Sequence, residues 1–164
     1  MIVADFRKEK ILEAFRDLGF KLEEEEGMGY CFNYEGLNLL YMYNENDEEF
    51  LNIALPGIVE VEEDKMLHVC ALLEKINSTL KYIKAYMLGN SVWLFYEREL
   101  FENEEDLMTV ISRMILHLEA GLAFARKAMA EIEETMASDS SDDDAVDGTE
   151  DIVAEDIVDN DDNE

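Results

Sequence analysis

The sequence predicts an α+β domain whose elements follow the order α-ββββ-α-ββ-α, with helices packed on an antiparallel sheet. Apolar residues recur at helical spacing in three segments of the chain. Turn residues divide two other segments, 20–55 and 82–97, into short strands. Because the connections between these strands are short, neighbouring strands are expected to run antiparallel.

The first helix is predicted over residues 4–18, and Gly19 follows it as a C-terminal stop. Its apolar residues have a spacing close to one helical face, and they are Phe6, Ile11, Phe15 and Leu18. Four strands follow, and the chain's only proline lies in the turn Pro56-Gly57 that ends the last of them. These strands are predicted at 20–24, 30–34, 37–43 and 48–55.

A second helix is predicted after the acidic run 60–64 and ends near Asn77. Negative charge at the N-terminal end of a helix is favoured by the helix dipole. The dipeptide Gly89-Asn90 then joins two strands, 82–88 and 91–97, in a hairpin.

A third helix is predicted from residue 104 to residue 136. It would be about 50 Å long at 1.5 Å per residue, which exceeds the ~30 Å of a small domain. The helix must therefore bend near Gly121 or extend beyond the domain. Residues 1–136 are predicted to form a single domain, and residues 137–164 an acidic, disordered tail.

Two predicted strands, 37–43 and 92–96, carry apolar side chains on both faces. Helices of the chain can cover one face of the sheet. The other face needs a further helix, a second subunit or a client segment. Aromatic and thioether side chains within an acidic rim would suit partner contacts, although the same residues could also form plain core. The candidates are Tyr41, Met42, Tyr43, Trp93 and Phe95.

The C-terminal half of the third helix suggests a dimer contact. Small residues there permit close approach of a partner helix, so a homodimer is expected. The alternative is packing on the chain's own sheet with a frayed end. The positions concerned are Ala125, Ala128, Met129 and Ile132.

Charge is concentrated in two stretches, 22–64 and 128–164, that lack Lys and Arg and hold 29 of the 41 acidic residues. A net charge of −28 argues against direct binding to nucleic acids or anionic membranes. A protein or peptide partner is expected, with basic partners favoured. The alternative function is an acidic mimic of nucleic acid that occupies the basic groove of a DNA- or RNA-binding protein.

The sequence offers no leader and no window as apolar as a membrane span, so the cytoplasm is the expected location. No catalytic residues, metal site or cofactor are predicted. His68 and His117 have no nucleophile at a known spacing, and Cys31 and Cys70 are interpreted as two buried free thiols. The acidic segment 142–154 fails the register of a calcium-binding loop.

The tail is expected to contribute to solubility. It also contains a near repeat, in which Glu150-Asp151-Ile152-Val153-Ala154 is followed by Glu155-Asp156-Ile157-Val158-Asp159. Two apolar pairs in an acidic string could instead dock weakly to a partner or compete with one.

Residues 4–130 resemble the YbjN family, which is related in fold to the type III secretion chaperones. The resemblance rests on the element order and on Leu55-Pro56, a helix ending Leu72-Leu73-Glu74-Lys75-Ile76-Asn77, and the aromatic hairpin 82–96 before a long helix. It implies a curved antiparallel sheet, frequent homodimers and no enzymatic activity. It also implies bacterial sensory regulation or the holding of an extended client segment.

Overall fold

The computed structural model describes residues 2–101 and 106–142, with side chains from 6 to 101 and from 106 to 139. The tail repeat at 150–159 lies outside the described residues. The predicted order α-ββββ-α-ββ-α is confirmed. The elements are α1 (Ile2–Asp17), β1 (Glu23–Glu25), β2 (Gly29–Tyr34), β3 (Leu37–Met42), β4 (Phe50–Glu60), a 3-10 turn (Glu63–Lys65), α2 (Met66–Thr79), β5 (Ile83–Leu88), β6 (Ser91–Glu99) and α3 (Leu107–Asp142).

The six strands of the described residues form one antiparallel sheet in the order β1-β2-β3-β4-β6-β5. Two tight turns set the register of two of its hairpins, β2–β3 and β5–β6. Glu35 and Gly36, with φ of 47° and 84°, have the two positive values that a type I′ turn requires. Gly89, with φ of 64°, begins the turn between β5 and β6.

Strand β4 continues through the predicted turn at Pro56-Gly57, so the prediction that the strand ends at residue 55 was wrong. The pairing of β4 with β6 shifts register between Leu55 and Val59. Proline, which has no N–H to donate, is tolerated at such a bulge, and Gly57 adopts the positive φ of 63°. The bulge bends β4 and allows the sheet to curve over its helices.

In the described part of the chain, all three helices pack on one face of the sheet, which we call the inner face. Helix α1 contributes Ile11, Leu12 and Phe15 to the core. Phe6, predicted for the same helical face, is 60% exposed, because it lies about 140° around the helix from Ile11. The most deeply buried large side chains of the core are Tyr41, Phe15, Leu39, Leu51, Ile53, Leu72, Ile76, Leu94, Ile111, Met114 and Leu118.

Helix α3 is continuous from Leu107 to Asp142, about 54 Å at 1.5 Å per residue, and ends six residues beyond the predicted domain boundary. Asp106 caps its first turn by accepting hydrogen bonds from Met108 N (3.2 Å) and Thr109 Oγ1 (2.6 Å). These bonds lower the pKa of the Asp106 carboxyl, chiefly through Thr109. Ion pairs at the surface connect the C-terminal half to the 3-10 turn, through Lys65–Glu133 (3.7 Å), and to α2, through Lys75–Glu131 (3.2 Å).

The expectation that no segment is apolar enough to span a membrane needs correction for α3. Its residues Leu107–Asp139 are long enough to span a membrane and contain an 18-residue window with a mean hydropathy of 1.4, which a membrane-spanning helix would also show. In the fold this apolar stripe packs against the sheet and α2, with Ile111, Leu118 and Leu122 in the core. The core helix of a globular domain has the same composition.

Both edges of the sheet are protected against further strand pairing. At one edge β1 is only three residues long and consists of glutamates. At the other edge the Asn77 side chain bonds both backbone groups of Ala85: its Nδ2 donates to the carbonyl (2.8 Å), and its Oδ1 accepts from the N–H (2.8 Å). The Asn77 amide thus takes the position of a neighbouring strand at that point of β5.

Candidate functional site

The face of the sheet opposite the helices, which we call the outer face, carries two rows of directly opposed side chains. The central row crosses all six strands, and the second row lies two residues away on β1 to β4 and on β6, at one end of the sheet. The central row is Glu23, Cys31, Leu40, Ala54, Phe95 and Lys84. The second row is Glu25, Gly29, Met42, Asn52 and Glu97.

The centre of the outer face is apolar and is shielded by its own neighbours. Leu40, Ala54 and Phe95 are at most 2% exposed and form a cluster separate from the main core. The Tyr86 ring stacks on Phe95 with centroids 4.1 Å apart, and the Trp93 ring lies 6.0 Å from it on the same face. A covering helix or subunit is therefore not required to bury this cluster, contrary to the expectation from the sequence.

Large apolar side chains around this cluster nevertheless remain at the surface of the outer face. Tyr86 is 42% exposed, Leu88 41% and Phe50 44%, while Trp93 and Met42 are half-buried. Aromatic rings and methionine are enriched where proteins bind each other. The outer face thus combines a rigid apolar centre with accessible rings around it.

Charged groups surround the apolar centre. At the β5 end, Lys84 Nζ donates to Glu97 Oε2 (2.6 Å), and this hydrogen bond raises the pKa of Lys84. At the β1 end, Glu23 and Glu25 lie beside Cys31. Burial first, and then the charges of these carboxylates, raise the pKa of the Cys31 thiol, so that it is protonated near neutral pH.

A groove of about 720 Å³ lies where the second row of the outer face reaches the β1–β2 turn and the segment after β3. Apolar side chains, among them Met28, Met42 and Phe50, form part of its wall. Lys8 of α1 also lines it, with its amino group 4.5 Å from the centre of the Tyr43 ring. Its carboxylates are Glu24, Glu25, Glu45, Asp47 and Glu97.

The five predicted partner contacts divide between the two faces of the sheet. Met42, Trp93 and Phe95 lie on the outer face. Tyr41 is 2% exposed in the core, 5.4 Å from the Phe15 ring, and Tyr43 packs against the same core and under Lys8. Alternation along β3 separates them, because successive side chains of a strand point to opposite faces.

Three exposed contributors to the outer face, Phe50, Tyr86 and Leu88, were absent from the sequence prediction. Tyr86 and Leu88 alternate with the buried Ile83 and Ala85 along β5, and this period-2 pattern was the signal that could have found them. Phe50 had no such signal, since it stands at the first position of β4.

The positions predicted for a dimer helix are used within the chain. Ala125 and Ala128 are 1% and 2% exposed and belong to the main core. Met129 and Ile132 are partly buried against that core. Small residues at 125 and 128 therefore serve the packing of α3 within its own domain, and the homodimer stays a prediction.

The histidines and cysteines form no shared site in the described part of the chain. His117 contacts the Tyr82 and Tyr96 rings edge-on, at 5.5 and 5.7 Å. Both cysteines are free, but Cys70 is exposed and Cys31 only half-buried, so the expectation of two buried thiols was wrong. Within the described ranges, no group of three His, Cys, Asp or Glu side chains is placed to hold a metal ion.

No family model and no curated protein matches this chain. Among solved structures, it is similar to YbjN from E. coli, a proposed transcription regulator, with 14% identity and a TM-score of 0.54 over 71% of this chain and 86% of that one. An uncharacterized protein from Methanothermobacter thermautotrophicus matches with 15% identity and a TM-score of 0.47, over 79% of this chain and 98% of that one. At this identity, the likeness to YbjN concerns the α+β fold alone.

Proposed function

We propose that this protein is a non-enzymatic binding module that presents the outer face of its sheet to a protein partner. The observation that carries the proposal is the Leu40-Ala54-Phe95 cluster on the helix-free face, with Trp93 and Tyr86 stacked around it. Rings that are already held by stacking lose little conformational freedom on binding, so their contact area contributes efficiently to affinity.

The surroundings of the cluster favour a protein over a membrane or a nucleic acid. Glu23, Glu25 and Glu97 lie in the same two rows as the apolar side chains. Carboxylates at these positions repel phosphate groups and anionic lipids. An acidic rim around an apolar centre matches the usual anatomy of a protein interface.

The proposal also specifies face rather than edge recognition. The Asn77 side chain already bonds the backbone N–H and carbonyl of Ala85 on β5, and β1 offers only three residues for pairing. A partner strand that joined either edge would have to displace these features. The description of YbjN as a proposed transcription regulator agrees with an interaction role. We propose that this chain acts as a chaperone-like or regulatory adaptor. Its cytoplasmic location stays a prediction.

The outer face carries two built-in reporters of occupancy, Trp93, which is the chain's only tryptophan, and Cys31. A partner captured from the native cell would be purified and titrated onto the full-length chain. We expect a shift of Trp93 emission and several-fold slower alkylation of Cys31 by iodoacetamide. Cys70, exposed on α2, serves as the internal control and should react unchanged. Protection of Cys70 with Cys31 unaffected would contradict the proposal.

A matched pair of variants tests the same face. Met42→Gln replaces a half-buried outer-face side chain and preserves the Trp93 reporter, and we expect it to weaken the partner at least tenfold, about 1.4 kcal/mol. Leu67→Gln, on α2, removes a side chain that is 69% exposed and should leave affinity unchanged. Equal affinities for both variants would overturn the proposal. Urea denaturation of both confirms that the fold is intact.

The salt dependence of partner affinity distinguishes this function from nucleic-acid mimicry. Partner binding through the apolar face should change little between about 50 and 200 mM salt, whereas binding by charge alone should fall by orders of magnitude. A collapse of affinity over this range, with no effect of Met42→Gln, would favour the mimic.

A further inference from the structure

We infer that the outer face and the groove at its end bind an extended segment of a partner protein in which an apolar residue and a Lys or Arg lie two positions apart. The inference rests on the proposed function and adds to it the chemistry of the segment that docks.

The first support is the charge of the groove. Within the described part of the chain, Glu25, Glu45 and Asp47 line the groove and form no ion pair. Lys8, the cation among the lining residues, is held over the Tyr43 ring. The groove therefore has several carboxylates that its own cations do not neutralise, and a cation from a partner would be attracted to them.

The second support is the composition of the wall. Met28, Met42 and Phe50 provide apolar surface next to the carboxylates, and the volume of about 720 Å³ lies within the roughly 300–1,000 Å³ of ligand pockets. Lys and Arg side chains suit such a wall, because their methylene stems pack on apolar surface while the charged end reaches carboxylates.

The third support comes from Asn52, which lies in the second row and lines the groove. Its Nδ2 donates to Glu97 Oε1 (3.0 Å), but its buried Oδ1 receives no hydrogen bond from the described residues. The wall of the groove therefore holds an acceptor without a donor among the described residues, next to its carboxylates, and a guanidinium or ammonium group supplies donors only.

The spacing follows from the register of the sheet. Residues of the central row and of the second row are two positions apart on the same strand, as in Leu40 and Met42 or Ala54 and Asn52. Two residues of a strand span about 7 Å. An extended segment that lies along the strands therefore places an apolar side chain on the exposed Tyr86 ring, which covers Phe95 of the central row, and the side chain two positions away on the second row.

Charge also argues against other occupants. The tail at 143–164 contains no Lys or Arg, so it brings like charge to the groove. A second copy of the chain would place acidic rim against acidic rim.

A random 12-residue peptide library on phage, selected on the immobilised full-length protein at about 150 mM salt, tests the inference. We expect enriched peptides to contain an aromatic or aliphatic residue with Lys or Arg two positions away. Selection on the double variant Glu25→Gln, Asp47→Asn should retain the apolar residue and lose the basic one. The matched control Glu13→Gln, Asp17→Asn removes two carboxylates from α1, outside the groove lining, and should preserve both.

One enriched peptide is then compared with a version in which citrulline, a neutral analogue, replaces its Arg. By Trp93 emission we expect at least tenfold weaker binding of the neutral peptide to the wild type, and less than a threefold difference with the double variant. Equal binding of both peptides, with Cys31 still protected, would overturn the cation preference and leave the proposed function intact. Enrichment without Lys or Arg, enrichment of acidic tail-like sequences, or no enrichment over bare support would each overturn the inference.

Discussion

Gly29 and Cys31 lie two positions apart on β2, and each owes its behaviour to the strand beside it. Gly29 adopts a φ of 142°, which L side chains rarely adopt, and a Cβ there would lie 2.0 Å from the carbonyl oxygen of Tyr41 on β3. Cys31 faces Glu23 on β1 and is close enough to Glu25 to be influenced by its charge. Around β2, the outer face is therefore determined by the absence of a side chain at Gly29 and by the carboxylates that β1 places near Cys31.

Replacement of Gly29 should therefore disrupt the sheet. We expect Gly29→Ala to lower the free energy of unfolding by roughly 2 kcal/mol or more, because neither the backbone conformation nor the space at Tyr41 accommodates a Cβ. Gly27→Ala is the control: it has a positive φ but no atom within 4 Å of the added Cβ. If urea denaturation finds Gly29→Ala as stable as Gly27→Ala, the close approach at Tyr41 is incorrect.

The reactivity of Cys31 should depend on its acidic neighbours. The thiolate is the reactive form, and a raised pKa reduces its population at pH 7.5, so alkylation of Cys31 should be slower than that of exposed Cys70. Glu25→Gln removes a negative charge, lowers the pKa of Cys31 and should increase its alkylation rate severalfold.

The pH profile of this rate supplies the check. The rise in rate should occur at lower pH in Glu25→Gln than in the wild type, while the Cys70 profile stays unchanged. Superimposable Cys31 profiles would show that burial alone controls the thiol.

At the scale of elements, the sequence predicted the order and most of the boundaries, because helical and strand periods are local properties. The sequence predicted a turn at Pro56-Gly57 because both residues usually end strands. In the structure β4 pairs with β6 on both sides of these residues, so they form a bulge. The sequence grouped Tyr41 and Tyr43 with Met42 because strand 37–43 is apolar throughout. Alternation predicts that 41 and 43 share a face, but only the packing of α1 determines that this face is the inner one.

Asn77 shows how one side chain can end a sheet. Asn77→Ala leaves the N–H and carbonyl of Ala85 without their partner and should cost about 1–3 kcal/mol of unfolding free energy. It should also promote concentration-dependent association through the β5 edge, measured by light scattering. Asn38→Ala, which removes an exposed hydrogen bond between side chains, should change stability by less than about 0.5 kcal/mol and cause no association.

At the scale of the whole molecule, the candidate site arises from parts of the chain that are distant in sequence. The groove joins the turn after β1, the segment after β3, and residues of α1, β4 and β6. The sequence indicated the acidic block at 22–64 and the apolar strands, but their meeting at one end of one face depends on the strand order. Because the strand order could not be read from the sequence, the sequence did not predict the groove.

The overall charge should also affect stability. Repulsion among the groups that give a net charge of −28 opposes the compact state, and salt screens it. We expect Tm to rise between 0.05 and 0.5 M NaCl, with each 1 kcal/mol gained worth about 2–4 °C. Choline chloride at equal ionic strength should give the same rise. A Tm that is independent of ionic strength would mean that the charges are too far apart in the fold to interact.

The strand order β1-β2-β3-β4-β6-β5 has a consequence for folding kinetics. Every neighbouring pair of strands is a hairpin except β4 with β6. Pairing of β4 with β6 must close a loop that contains α2 and β5, and such non-local pairing is slow. Ile53→Val, at the β4–β6 junction, should therefore reduce the folding rate measured in urea. Leu39→Val, in the β2–β3 hairpin, should reduce the folding rate as well, because a hairpin that forms before the two halves of the sheet pair is already present in the transition state.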